Sequence, residues 1–178
     1  LIISIGVASG GHFNPVVTLV DRAYGGIETS TVALYIVAQV CGAIVGAMIA
    51  NTMFGLPVVD WSTTERSGGD LWFAEGIATL GLLVVIFGIA RSGRSTVVAF
   101  AGAGYIAGAY YFTSPTSFAN PAVTIGRAFS NTFAGIDPAS VPMFVVAQLV
   151  GAVAAVGLIL VMYPHAAGGA DGPPTGPP

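Results

Sequence analysis

The chain has 178 residues, 54% of them hydrophobic and only 7% charged, with a mean hydropathy of +0.85 and a formal net charge of −3. A soluble domain carries about 25% charged residues, so this composition cannot cover a water-facing surface and reads as an integral membrane protein. The basic residues are isolated arginines (Arg22, Arg66, Arg91, Arg94 and Arg127) and Cys41 is the single cysteine, which excludes a nucleic-acid partner and a disulfide or Cys-based zinc framework.

Residues 1–8 are apolar but lack a basic lead-in. They read as the last turns of a membrane helix that starts upstream rather than as a signal peptide. Residues 9–13 are breakers. Asn14 is then a good N-cap, and Pro15 suits the first helical position, where a missing N–H costs nothing. The helix that follows runs to about Tyr24 and stops at Gly25-Gly26, too short to span a bilayer. Residues 31–54 are uncharged and long enough to span with some tilt. Within them Gly42 and Gly46 form a pair that lets a neighbouring helix approach closely. A polar loop follows, and residues 71–90 form the next span, with Glu75 near its start. Past the turn carrying Arg91 and Arg94, residues 96–112 form another.

The stretch from Ser117 to Phe129 then repeats the first motif. Asn120-Pro121-Ala122 opens a second short helix 106 residues after Asn14-Pro15-Val16. Residues 141–163 form the last span, and the Gly/Pro-rich tail, residues 164–178, is expected to be disordered. The halves match further: Ala38-Gln39 with Gly42-Ala43 is echoed by Ala147-Gln148 with Gly151-Ala152. Three spans separate the two motifs, so the copies are inverted and the half-helices enter from opposite faces. The positive-inside rule puts Arg22, Arg91 and Arg94, and with them the C-terminus, in the cytoplasm.

A re-entrant helix survives at membrane depth only inside protein or beside a water-filled cavity. Two half-helix N-termini meeting at the midplane mark a transport site. Their positive dipole ends repel cations and protons. Each cap asparagine uses its side-chain oxygen on the backbone, which leaves the amide NH2 to donate to a passing hydroxyl or water. This is a way to pass neutral polar solutes and exclude charge. No nucleophile–base set or metal cluster suggests an enzyme, and no cofactor is called for.

These motifs (SGGHFNPVVTL, FANPAVTIGR, the two Ala-Gln echoes and Ala74-Glu75-Gly76) resemble the aquaporin and aquaglyceroporin, or major intrinsic protein, family over residues 1–163. The resemblance implies an all-α membrane fold with six tilted spans and two re-entrant half-helices. On it, the first span and most of the second lie before Leu1. It also implies a homotetramer in the plasma membrane with one pore per subunit, in contact with membrane lipid and passing small neutral solutes.

Carried over by position, the visible selectivity filter is Gly108, Ser117 and Val123; the fourth member lies before Leu1. The family usually has Arg where Val123 stands, and Ala where Val16 stands. Val123 implies a wider, less polar constriction that admits glycerol-like polyols, urea and undissociated metalloid acids such as arsenous acid, besides water. The bulkier Val16 is expected to loosen packing between the half-helices. Arg127, one turn beyond Val123, is expected to be an interfacial or loop-contacting residue. Glu75 is read from the family as structural, bonded to the backbone of a re-entrant loop, with proton coupling as the alternative. His12 is either a loop-holding residue or a cytoplasmic pH gate. The competing functions are a water-selective pore, an ion-coupled secondary transporter and a non-conducting fragment.

Overall fold

The computed structural model describes residues 1–113 and 116–164. The chain is all-helical among these residues: α1 (Ile2–Ser9), α2 (Pro15–Ala23), α3 (Thr29–Met53), α4 (Gly69–Arg91), α5 (Val98–Phe112), α6 (Pro121–Arg127) and α7 (Val141–Met162), with a 3-10 turn at Ser95–Val97 leading into α5. This is the all-α membrane fold expected. Helices α3, α4 and α7 are each long and apolar enough to cross a membrane. From residue 165 on, the Gly/Pro tail lies outside the described residues.

Helices α2 and α6 start where the sequence places them. In both, the asparagine at the N-cap is extended, proline occupies the first turn, and the asparagine side chain accepts from backbone N–H groups. Each cap is preceded by a non-glycine residue in the left-handed region, Phe13 and Ala119, both at φ 48°. Such backbone is uncommon outside glycine, and its occurrence at equivalent points of the repeat shows that both copies turn into their half-helices by the same bend.

Long-helix packing depends on small residues. Helices α4 and α7 touch at Gly76 and Gly151, where a Cβ on Gly151 would collide with the Gly76 carbonyl. Half-helix α6 lies against α3 at Gly126, where a Cβ would come within 2.8 Å of the Ala43 carbonyl oxygen. Half-helix α2 packs instead into a cluster with α4 and α7: Val16, Val17 and Val20 meet Leu83, Phe87, Ala155 and Ile159. Val16 is fully buried there. Its bulk is taken up among the side chains of this cluster. Gly42 and Gly46 do not mediate a close helix contact among the described residues, since neither has an atom within 4 Å of a built Cβ.

The two ends of the bundle are tied differently. At one end the Arg91 guanidinium stacks on the Tyr24 ring at 4.1 Å and donates to the Tyr163 carbonyl. That contact joins the ends of α2, α4 and α7. At the other end, residues 54–68 form a strap over the chain leaving α6. Asn51 donates to the Phe129 carbonyl, and the Asp60 and Ser62 amides donate to Phe129 and Ala128. Buried Arg66 donates to the carbonyls of Gly135 and Phe133 and lies 5.6 Å from the Phe118 ring. Burial pulls the Arg66 guanidinium below its usual range and the Glu75 carboxylate works against that; an arginine remains charged through such a shift.

Candidate functional site

The cap asparagines meet by reciprocal exchange. Asn14 Oδ1 accepts from the Val16 amide at 3.1 Å, and Asn120 Oδ1 accepts from the Ala122 and Val123 amides at 3.0 and 3.3 Å. With the oxygens held, the two Nδ2 groups cross over. Asn14 donates to the Ala119 carbonyl at 2.7 Å and Asn120 donates to the Phe13 carbonyl at 2.9 Å. The left-handed bend at Phe13 and Ala119 aims those carbonyls at the opposite asparagine. Each amide therefore has one N–H committed to the facing half-helix and one left to donate elsewhere. The sequence reading left both N–H groups free; it could not see the exchange because the partner lies more than a hundred residues away.

Behind each asparagine stands a threonine that the motif reading passed over. Thr18 and Thr124 each sit four residues after the cap and donate their hydroxyl to its carbonyl, at 3.3 and 2.9 Å. Each then accepts from a glutamine on the long helix that follows: Gln39 Nε2 to Thr18 at 2.9 Å, Gln148 Nε2 to Thr124 at 2.8 Å. The Ala-Gln echo has its explanation here. The available signal was the shared threonine in NPVVT and NPAVT.

The loop before Asn120 rests on Glu75. Its carboxylate accepts the Phe118 amide at 3.2 Å, the Ala119 amide, and Gln148 Nε2 at 2.6 Å. With these donors around it, the buried carboxylate is a backbone anchor. His12, ahead of the other cap, places Nδ1 3.1 Å from the Thr18 hydroxyl and Nε2 3.5 Å from Asp21.

Of the carried-over filter positions, Val123 is the one that lines the two cavities beside α6. Val123 lines a groove of about 680 Å³ that runs past His12, Phe13, Tyr35, Gln39 and Ala122. It also lines a smaller cavity that includes Arg127. Neither Gly108 nor Ser117 lines these two. Ser117 is buried with no partner on its hydroxyl among the described residues, and Gly108 is exposed on α5. Pro15, Pro121 and Ala122 are buried at the half-helix junction.

Comparison with known proteins gives the family. The profile of the Major intrinsic protein family matches residues 1–99 and 92–173. The chain belongs to the major intrinsic protein family. It is 46% identical over 159 residues to aquaglyceroporin AqpS of Rhizobium meliloti (strain 1021), which covers 89% of this chain and 68% of that protein. It is 34% identical over 172 residues to the probable aquaporin AqpM of Archaeoglobus fulgidus, across 87% of this chain and 68% of that one. To the probable aquaporin NIP4-2 of Arabidopsis thaliana it is 32% identical over 141 residues, and it spans 49% of that protein's length. As a major intrinsic protein the chain is a membrane channel for small solutes and not an enzyme.

Proposed function

We propose that the complete protein is a passive channel for small neutral solutes wider than water: glycerol-like polyols, urea and undissociated metalloid acids such as arsenous acid, with water passing as well. The observation that carries this reading is the crossed asparagine pair. Two donors meet between two half-helix N-termini, where a hydroxyl-bearing solute is welcomed and a cation is repelled. Val123 supports the wider substrate range. It stands on the groove wall without a charge or a hydrogen-bonding group. The relative called an aquaglyceroporin points the same way. In this reading Gly108 and Ser117 add little bulk at the constriction, Glu75 and His12 hold the two loops, and the protein works as a homotetramer in the plasma membrane with its C-terminus in the cytoplasm.

The test is flux of water, glycerol and arsenous acid through the complete gene product in liposomes. Wild type is expected to pass all three. Val123→Arg is expected to cut glycerol and arsenous acid more than water. A wild type that passes only water returns the protein to the water-selective class. A Val123→Arg variant with unchanged flux of the larger solutes removes Val123 from the filter.

A further inference from the structure

Arg127 ends α6 one turn beyond Val123. Four residues of helix advance about 6 Å and return to nearly the same face. The two side chains accordingly line one cavity of about 230 Å³, whose opposite wall is the small face of α3: Ala43, Gly46, Ala47 and Ala50. Among the described residues no hydrogen bond or ion pair engages the Arg127 guanidinium; His12–Asp21 is the ion pair found there.

The repeat supplies an independent view of the same position. Counting from the cap, the counterparts of Val123 and Arg127 are Val17 and Asp21. These line a different cavity, of about 180 Å³, enclosed by Ile2, His12, Ile86, Phe87 and Gly102. The seventh residue after each cap asparagine thus faces a cavity at the far end of its half-helix. One end carries an acid beside an imidazole, and the other a permanent cation with no ion-pair partner among the described residues.

We propose that Arg127 is the ion-excluding residue at the outer mouth of the conduit, and that it separates the charge barrier from the size barrier. The proposal rests on the channel reading above. A cation placed at Val123 would repel ions and narrow the constriction together. A cation one turn outward charges the mouth and leaves the constriction wide. The apolar wall around Arg127 does not screen it, and among the described residues no carboxylate pairs with it. A monovalent cation passing within several ångströms meets its full repulsion, whereas glycerol or an undissociated acid does not. The competing account is purely structural: a cation at the C-terminal turn of α6 interacts favourably with the helix dipole. It predicts a change in stability with no change in ion selectivity.

The experiment measures glycerol flux and K⁺ leak in the same liposomes holding the complete gene product. Arg127→Gln is expected to keep glycerol flux and to raise K⁺ leak on the order of tenfold, with Arg127→Lys close to wild type. Glycerol flux kept and K⁺ exclusion unchanged in Arg127→Gln overturns the proposal. If Arg127→Gln fails to insert, Arg127→Cys in a Cys41→Ser background is modified from outside with a cationic or an anionic thiosulfonate. Exclusion restored by the cationic adduct alone supports the proposal; equal leak after either adduct overturns it. A wild type that carries no glycerol, with a Gln variant that leaks K⁺, sinks the solute-channel reading and leaves the assignment of Arg127 standing.

Discussion

In the second repeat, the loop ahead of the cap asparagine hangs from a buried carboxylate: Glu75 takes two successive backbone amides and the Gln148 side chain. In the first repeat the corresponding loop turns on two glycines in the left-handed region, Gly10 and Gly11. It is held by lighter contacts, with the Gly11 amide on the Ser9 hydroxyl and His12 between the Thr18 hydroxyl and Asp21. The caps themselves, the threonines behind them and the crossed Asn–carbonyl bonds are the same in both. What the repeat conserves is the apparatus within reach of the half-helix, and what differs is the outer support. The consequence is an unequal distribution of stability between two loops that present the same asparagine.

Glu75→Ala should break the comparison most severely. It strands two buried amides and one side-chain N–H, each worth about 1–3 kcal/mol when left unpaired. Loss of the folded protein, read as a collapsed melting temperature in detergent, is the expected outcome. Ser9→Ala removes two bonds at a partly exposed site, the hydroxyl's own to the Ile5 carbonyl at 3.1 Å and the Gly11 amide's to it at 3.4 Å. Neither loss leaves a charged or deeply buried group stranded, and the variant should stay within about 0.5 kcal/mol of wild type. Equal damage from the two would mean that the repeats are supported alike.

The cap asparagines come next. Replacing either by Ala removes a cap, typically about 1 kcal/mol, and the crossed bond, about another 1 kcal/mol. Asn14 is the more deeply buried, at 5% exposure, so Asn14→Ala should cost more than Asn120→Ala. Each asparagine holds the carbonyl that precedes the other, so the double variant should depart from additivity by at least about 0.5 kcal/mol. Strict additivity in chemical denaturation would show that the two half-helices do not brace each other.

The third motif position sharpens the contrast in packing. Val16 fills the α4–α7 cluster with no exposure, so Val16→Ala should cost about 2 kcal/mol as a buried truncation. Ala122 is itself buried, at 2% exposure, but borders the groove beside Val123, so the methyl groups added by Ala122→Val have that groove to turn toward and the change should cost less than Val16→Ala. A melting series in which the second change is the more harmful would reverse this assignment.

These contrasts also mark how far the sequence could be read. The Asn-Pro starts were legible because capping is local: the oxygen that accepts and the amide that donates lie two or three residues apart. The spans that became α3, α4 and α7 were legible because length and apolarity alone specify them, whereas the span expected over residues 96–112 is a 3-10 turn and a 15-residue helix. The inverted arrangement followed from counting spans. The crossed asparagine bonds were not legible, since each joins groups more than a hundred residues apart and no residue type announces them. The Thr18–Gln39 and Thr124–Gln148 pairs left a trace as matching letters, but the trace had no chemistry until the helices were packed. Burial of Arg66 ran against expectation for a loop arginine. It arises because residues 54–68 fold back over the chain leaving α6, where backbone carbonyls from residues 133 and 135 receive its guanidinium. The cluster that Val16 joins with side chains of α4 and α7 was not legible either, since those side chains come from distant parts of the chain.

The finest test of the comparison concerns the two glutamines. Gln148 Nε2 serves two acceptors, Glu75 and Thr124, whereas Gln39 Nε2 serves Thr18 alone. The amide oxygen of each is buried without a partner among the described residues. Replacement by methionine keeps the length and most of the volume and removes that unpartnered oxygen in both cases. For Gln39→Met the relief offsets the single lost bond. Thr18 still has the His12 imidazole, so the net change should fall within about 0.5 kcal/mol of zero. For Gln148→Met the same relief is set against two lost bonds, one of them to a carboxylate whose remaining donors are the amides of Phe118 and Ala119. A hydrogen bond to a charged group is worth about 1.5–3 kcal/mol, so Gln148→Met should lower the melting temperature measurably where Gln39→Met does not. Matching shifts would mean that Glu75 adds nothing to the second repeat beyond what the threonine–glutamine pair already supplies to the first.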